Sequence, residues 1–363
     1  MVKHLLATNR KDFKLAADNE ELLGVDDEFQ FGWLEFEVGK APATDTFCNF
    51  PVGNSDYRTC IGAKLESLSG YARLFCELYH QMVESKREAL IFVHGYRHSV
   101  QRMQESIRRL EQTYIADTSG CNIGHIVMIC WPSTAETRLY DEDRVRAIQT
   151  GCGAFKKLLQ ELRLFVNQAF KSRGEADWFV SKLNIVAASM GNRLLQATAD
   201  CFDFDDTRLF NELIHTAPDV DTHQFKNDKP LKRFSQLARK VHVHFNYNDL
   251  VLELSSEVVN DFERRLGHDG PALGTNRDPH ISYINVTLAV AASALDPDII
   301  LNPGDEKEFP IVHCYFTKVR TVVEDTKRIF SHKDRFVWRN DQNDSESNIE
   351  RKELSLTKLV PEF

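Results

Sequence analysis

One serine stands where the hydrophobic pattern of the chain changes period. Leu183-Asn184-Ile185-Val186-Ala187-Ala188 is short and nearly all apolar, as a buried parallel strand must be. From Leu194 onward, Leu194, Leu195, Thr198, Ala199 and Phe202 recur at helical spacing. Ser189 lies at the join, with Gly191 two places later. A strand that runs abruptly into a helix puts the corner residue in a tight, strained turn. Small neighbours at Ala187 and Gly191 allow the close approach that such a corner needs. The helix N-terminus then aims N–H groups and a partial positive charge at whatever sits beside the hydroxyl. A serine placed so can act as a nucleophile, but only with a base in reach and a carboxylate behind the base.

The chain offers both partners. Val241–Tyr247 reads as a strand ending in Asn248-Asp249, and Glu212–Thr216 as one closed by Ala217-Pro218-Asp219-Val220-Asp221. Asp249 is the preferred acid and Asp219 its rival, since Asp219 also reads as a turn former or helix cap. His313 follows the last strand and precedes a final helix; His280, His268 and His332 compete with it for the role of base. Ala89–Val93 is another buried strand, ending in His94-Gly95-Tyr96. There Gly95 lets the backbone turn so that a peptide N–H, that of Tyr96, can face the substrate, and His94 shapes the loop rather than carrying protons. Trp131-Pro132-Ser133, after the strand His125–Trp131, lines or braces the pocket mouth, or simply packs. His242 and His244 share a strand face, but no third ligand stands at a recognisable spacing, so no metal is expected. Cys152, between Gly151 and Gly153, reads as flexible and exposed.

Elements that must position these residues follow from periodicity. Leu5–Ala7 and Trp33–Val38 read as strands, the second with one wet face that suits a sheet edge; residues 39–63 read as loop. Amphipathic stripes mark helices on Leu65–Met82, Met103–Tyr114, Phe155–Phe170 and Val319–Ile329, with Gly174 as a stop. Ile281–Leu288 is the last strand candidate, and the apolar run Val286–Leu295 suits core strand better than a greasy lid. A loop of roughly two dozen residues before His313 is long enough to be lid-like. Strands alternating with helices imply an α/β fold with a mostly parallel sheet covered on both faces. The expected organisation is an N-terminal part (1–85) completing the sheet, a core (86–335) and a polar tail (336–363).

Composition bounds what this machinery acts on. The 363 residues are 42% hydrophobic and 27% charged, with a net charge of -9 and no basic cluster, which disfavours nucleic acid as a partner. No apolar run reaches the roughly 18 residues of a spanning helix, and the N-terminal apolar stretch is too short for a signal peptide. The 8 cysteines are scattered without C-x-x-C, as free thiols of a reducing cytoplasm would be.

Six landmarks occur in one order: Ile91-Phe92-Val93-His94-Gly95-Tyr96, Trp131-Pro132-Ser133, Ser189-Met190-Gly191-Asn192, Ala217-Pro218-Asp219-Val220-Asp221, Asn248-Asp249 and His313-Cys314-Tyr315-Phe316. Together they resemble a bacterial α/β-hydrolase family catalogued as a domain of unknown function, number nine hundred. The resemblance spans about residues 85–330 and implies an α/β-hydrolase fold, Ser189 as nucleophile, Asp249 as acid and His313 as base. It also implies the N–H groups of Met190 and Tyr96 as oxyanion donors. The chain departs from the family in carrying Ala188 where a histidine usually precedes the serine. The expected function is a cytoplasmic serine hydrolase acting on a small-molecule or lipid carboxylic ester through an acyl-enzyme, without a cofactor. The alternatives are a catalytically silent scaffold that binds or regulates, and a membrane-acting phospholipase.

Overall fold

A computed structural model describes residues 2–15, 24–37, 40, 44–53, 56–116, 120–134, 136–170, 174–275, 278–295, 300–301, 310–332, 339–340 and 351–353. Most of the expected polar tail lies outside these residues, as do 296–299 and 302–309 of the long stretch before His313.

The strands are β1 (Val2–Arg10), β2 (Val25–Phe36), β3 (Thr46–Asn49), β4 (Glu88–Val93), β5 (Ile123–Cys130), β6 (Leu183–Ala188), β7 (Phe210–Thr216), β8 (Ala238–Phe245) and β9 (Ile281–Asn285). They form one sheet in the order β9-β8-β7-β6-β4-β5-β1-β2-β3, and two short strands, β10 (Arg339–Asn340) and β11 (Arg351–Glu353), extend it beyond β9. From β9 to β1 every pairing is parallel, while β2 and β3 are antiparallel. The apolar runs in the central strands follow from this, because helices cover both faces. Alternate residues of β4 show it: Ile91 and Val93 belong to one core, Leu90 and Phe92 to the other.

The longer helices are α1 (Gly70–Ser85), α2 (Val100–Leu110), α3 (Tyr140–Thr150), α4 (Lys156–Ala169), α5 (Gly191–Cys201) and α6 (Arg320–Phe330). Side chains of α1, α4 and α5, such as Leu74, Leu158 and Leu194, fill the first core. Met103 and Ile107 of α2 and Val322 and Val323 of α6 fill the second. The chain leaves β4 to β5 on one side and returns to β6 on the other. That reversal opens a crevice at the carboxyl ends of the strands.

Three local readings are corrected. The strand expected at the edge as Trp33–Val38 is β2, which lies inside β3; one-sided burial requires one wet face, not the outermost position. β3 falls in the stretch read as loop, because four residues are too few to show a period. The run Val286–Leu295 is mostly helix (Thr287–Ser293) rather than core strand, with Leu288 and Leu295 exposed. There the side chain of Asn285 accepts the Thr287 N–H at 3.0 Å, ending β9, and an alanine-rich segment follows.

Cys152 is exposed, but it is not in a flexible loop: α3 continues through Gly151–Phe155 into α4. Gly151 is there for close packing, since a Cβ on it would lie 2.4 Å from the Leu194 carbonyl oxygen of α5. The Thr198 hydroxyl also donates to the Gly151 carbonyl at 2.9 Å. The Gly151→Ala variant is therefore expected to lose about 1–3 kcal/mol of stability in chemical denaturation. An unchanged midpoint would show that α5 can move away without cost.

Candidate active site

The parallel register between β4 and β6 pairs Val93 with Ala187. Continued two residues further, it brings Gly95 beside Ser189. A Cβ on Gly95 would lie 2.8 Å from the Ser189 Cβ, and one on Gly191 would lie 2.7 Å from the His94 carbonyl oxygen. Both positions need glycine for space. Ser189 itself has φ +50, a left-handed conformation costly for a residue with a Cβ. The neighbouring strand holds it there. The Ser189 N–H donates to the Thr216 carbonyl at 3.0 Å, and its own carbonyl accepts the Asp219 N–H at 3.2 Å. The Asn192 amide donates to the carbonyls of Ala187 (2.9 Å) and Ser189 (3.0 Å), and its oxygen meets His215 Nδ1 at 2.6 Å. Met190 is the N-cap of α5, so its N–H belongs to the turn that lacks helical acceptors.

Asp249 lies just beyond β8, fully buried, at the start of the short helix Leu250–Leu254. One carboxylate oxygen accepts the N–H groups of Val251 and Leu252, both at 3.2 Å. The other is 2.8 Å from His313 Nδ1. Since Nδ1 donates to the carboxylate, the neutral ring leaves Nε2 as an acceptor. Burial alone would depress the His313 pKa, but the Asp249 carboxylate, its hydrogen bond and the charge of Asp219 outweigh it and raise the pKa.

Asp219 has other partners. Tyr140 donates to it at 2.6 Å and Ser255 at 2.9 Å. Asn260 and Arg193 complete the cluster: the Asn260 amide donates to the Tyr140 oxygen at 3.2 Å and Arg193 to Asn260 at 2.7 Å. Burial, with Asp219 alongside, pushes the Tyr140 pKa up to about 12. The competing histidines lie with other carboxylates: His280 with Asp278, His268 with Asp269 and His332 with Glu88. His242 Nε2 is 2.8 Å from Glu212. Among the described residues no group of three or more metal-ligating side chains is gathered.

Ser189, His313, Gly95, Tyr96, Asp219 and Tyr140 all line one cavity of about 450 Å³. Among the described residues no hydrogen bond joins Ser189 Oγ to His313; such contacts commonly tighten only around substrate. Trp131 is fully buried behind the cavity: it stacks on His94 at 5.0 Å and donates to the His94 carbonyl at 2.8 Å. It braces the loop rather than lining the mouth. His94 is sandwiched between Trp131 and His98, and burial, helped by His98 and Arg10, holds its pKa well below the ordinary value. Sequence reasoning missed Tyr140, Arg193, Ser255 and Asn260, which come together from α3, α5 and the segment after Leu250–Leu254 and carry no motif. It also missed Arg97, Arg102 and Arg109, which line the cavity; their spacing after Gly95 was the available signal.

A strained serine at a strand-to-helix corner, over the carboxyl edge of a parallel sheet, defines an α/β-hydrolase. The chain belongs to the family described as "Alpha/beta hydrolase of unknown function (DUF900)", which matches residues 76–313. Comparison with curated proteins finds no match. No helix among the described residues is long and apolar enough to cross a membrane.

A raised His313 pKa means that the folded protein binds this proton more tightly than the unfolded chain. The resulting stabilisation is present below the ordinary value of 6.5 and is lost as pH rises through the folded-state value. In an NMR titration the His313 midpoint is expected above 6.5 in the wild type and to fall on Asp249→Asn. A wild-type midpoint at or below 6.5 would mean that burial outweighs the carboxylates.

Proposed function

We propose that the protein is a serine hydrolase that cleaves a carboxylic ester through an acyl-enzyme. The observation that supports this reading best is that the strained Ser189 and the Asp249-bound His313 open into one cavity. In the proposed cycle Ser189 Oγ attacks the ester carbonyl carbon while His313 Nε2 takes the hydroxyl proton. Asp249 holds the Nδ1–H tautomer and stabilises the imidazolium. The N–H groups of Met190 and Tyr96 receive the developing oxyanion, with Gly95 and Gly191 allowing the backbones to approach. The carbon–oxygen bond to the leaving alcohol then breaks, and His313 returns the proton to that oxygen. Water repeats the sequence on the acyl-serine and releases the acid.

A fluorophosphonate probe is expected to label the wild type on Ser189 and to fail with the folded Ser189→Ala and His313→Ala variants. Labelling retained in Ser189→Ala would place the nucleophile elsewhere, and a folded wild type that resists the probe would sink the reading. Asp249→Asn is expected to lower kcat by about 10²–10⁴-fold, through loss of the productive tautomer. The base works only when neutral, so kcat/KM should rise with pH through a midpoint above 6.5. A rate flat across that region would exclude His313 as the base.

A further inference from the structure

Two of the 8 cysteines meet at one backbone oxygen, away from the cavity that holds Ser189. Cys152 Sγ donates to the Ala197 carbonyl at 3.5 Å, and Cys201 Sγ donates to the same oxygen at 3.2 Å. Cys152 comes from the helical turn that joins α3 to α4, and Cys201 ends α5. Beside them the two helices are in close contact. The Thr198 hydroxyl donates to the Gly151 carbonyl at 2.9 Å, and a Cβ on Gly151 would lie 3.0 Å from the Ala197 Cβ. Leu194, Ala197 and Cys201 stand three and four residues apart, so they share the face of α5 that meets Gly151. A disulfide forms only where the backbones already hold the two sulfurs near each other, and this packing does so.

Exposure makes the two thiols unequal. Cys152 is exposed and lines a surface groove with Asp27, Glu142 and Arg146, whereas Cys201 is half-buried. Burial, reinforced by the Cys152 thiol, pushes the Cys201 pKa up to about 11; Lys156 opposes the rise and Asp200 adds to it. At neutral pH Cys201 therefore stays a thiol, and an oxidant in solution reaches Cys152 first. Cys60 and Cys76 provide the contrast. They hydrogen-bond to each other, but both are fully buried, which leaves them inert in the folded chain.

We infer that Cys152 and Cys201 are a peroxide-sensitive dithiol that closes to a disulfide within the native fold and staples α5 to the α3–α4 junction. Hydrogen peroxide first transfers one oxygen to the Cys152 sulfur, giving a sulfenic acid and water. The Cys201 sulfur then attacks the Cys152 sulfur. The S–S bond forms, the S–OH bond breaks, and the hydroxide leaves as water with the Cys201 proton. Overall the two thiols lose two electrons and two protons, and one peroxide becomes two waters. The sulfenic acid is neutral, so the charge of Cys152 no longer opposes ionisation of Cys201 at that step. The stretch from Cys152 to Cys201 contains β6 and Ser189, so the cross-link closes a loop around the strained corner. The inference goes beyond the hydrolase reading and stands whether or not Ser189 is reactive.

The full-length folded protein, reduced and at neutral pH, is treated with a small excess of hydrogen peroxide, quenched with catalase and alkylated in denaturant. Non-reducing peptide mass spectrometry should find Cys152 linked to Cys201 within one chain, with Cys60 and Cys76 alkylated as free thiols. A thiol assay should show two of the 8 thiols lost and both recovered with dithiothreitol. Oxidation should raise the thermal midpoint of the wild type by about 5 °C, and reduction should reverse the rise. Folded Cys152→Ser and Cys201→Ser should show no rise. In Cys201→Ser the exposed thiol should stop at the sulfenic acid and be trapped by dimedone. A wild type in which Cys152 stops at a sulfenic or sulfinic acid, or joins a second chain, while Cys201 stays free would overturn the inference. A linked Cys60–Cys76 pair with Cys152 still free would overturn it too, since exposure would not then select the reactive thiol. A Cys152–Cys201 disulfide that leaves the midpoint unchanged or lowers it would remove the staple.

Discussion

At the carboxyl ends of β4 and β6, main chain meets main chain so closely that a single methyl group on Gly95 or Gly191 would collide with it. This close approach sets the geometry of everything around the site. It turns the chain at Ser189 into a left-handed conformation and starts α5 directly behind the serine. Strain of this kind persists only when the surroundings over-determine it. Here Thr216, Asp219 and Asn192 fix the corner from one neighbouring strand and one helix, and buried His215 backs Asn192.

The parallel sheet does the remaining positioning. Successive strands end at the same edge, so residues separated by more than a hundred positions arrive within one cavity. Tyr315 links two of those ends, donating to the His244 carbonyl at 3.1 Å and accepting the Ala217 N–H at 2.8 Å. Two carboxylates then share the region with different partners. Asp249 meets backbone N–H groups and an imidazole, whereas Asp219 meets hydroxyls. Environment alone distinguishes them.

The cavity brings a second electrostatic division. Its arginines come from the loop after β4 and from α2, its apolar surface from the short helix after β8 and from the segment around Phe316. The same loop that passes the serine at Gly95 thus also carries charge toward the site.

Much of this was legible in the chain. Apolar runs bounded by turn residues marked β4 through β8 to within a few residues, because a doubly covered strand has no choice but to be apolar. Ser189 and Asp249 stood out because each follows such a run, whereas His313 was singled out by the family resemblance and its place before the last helix. Weaker signals failed where the local pattern is degenerate: β3 is too short to show a period, and Val286–Leu295 is apolar in either conformation. What the sequence by itself determined is the alternation of strand and helix and the residue types at the strand ends, since periodicity and small-residue placement are local properties. Only the tertiary structure decided that Asp249 rather than Asp219 lies against His313, that Trp131 braces His94 from behind, and that one face of α2 turns arginines inward. Those are relations between elements distant in sequence, governed by register, burial and competing hydrogen bonds, and no local pattern encodes them.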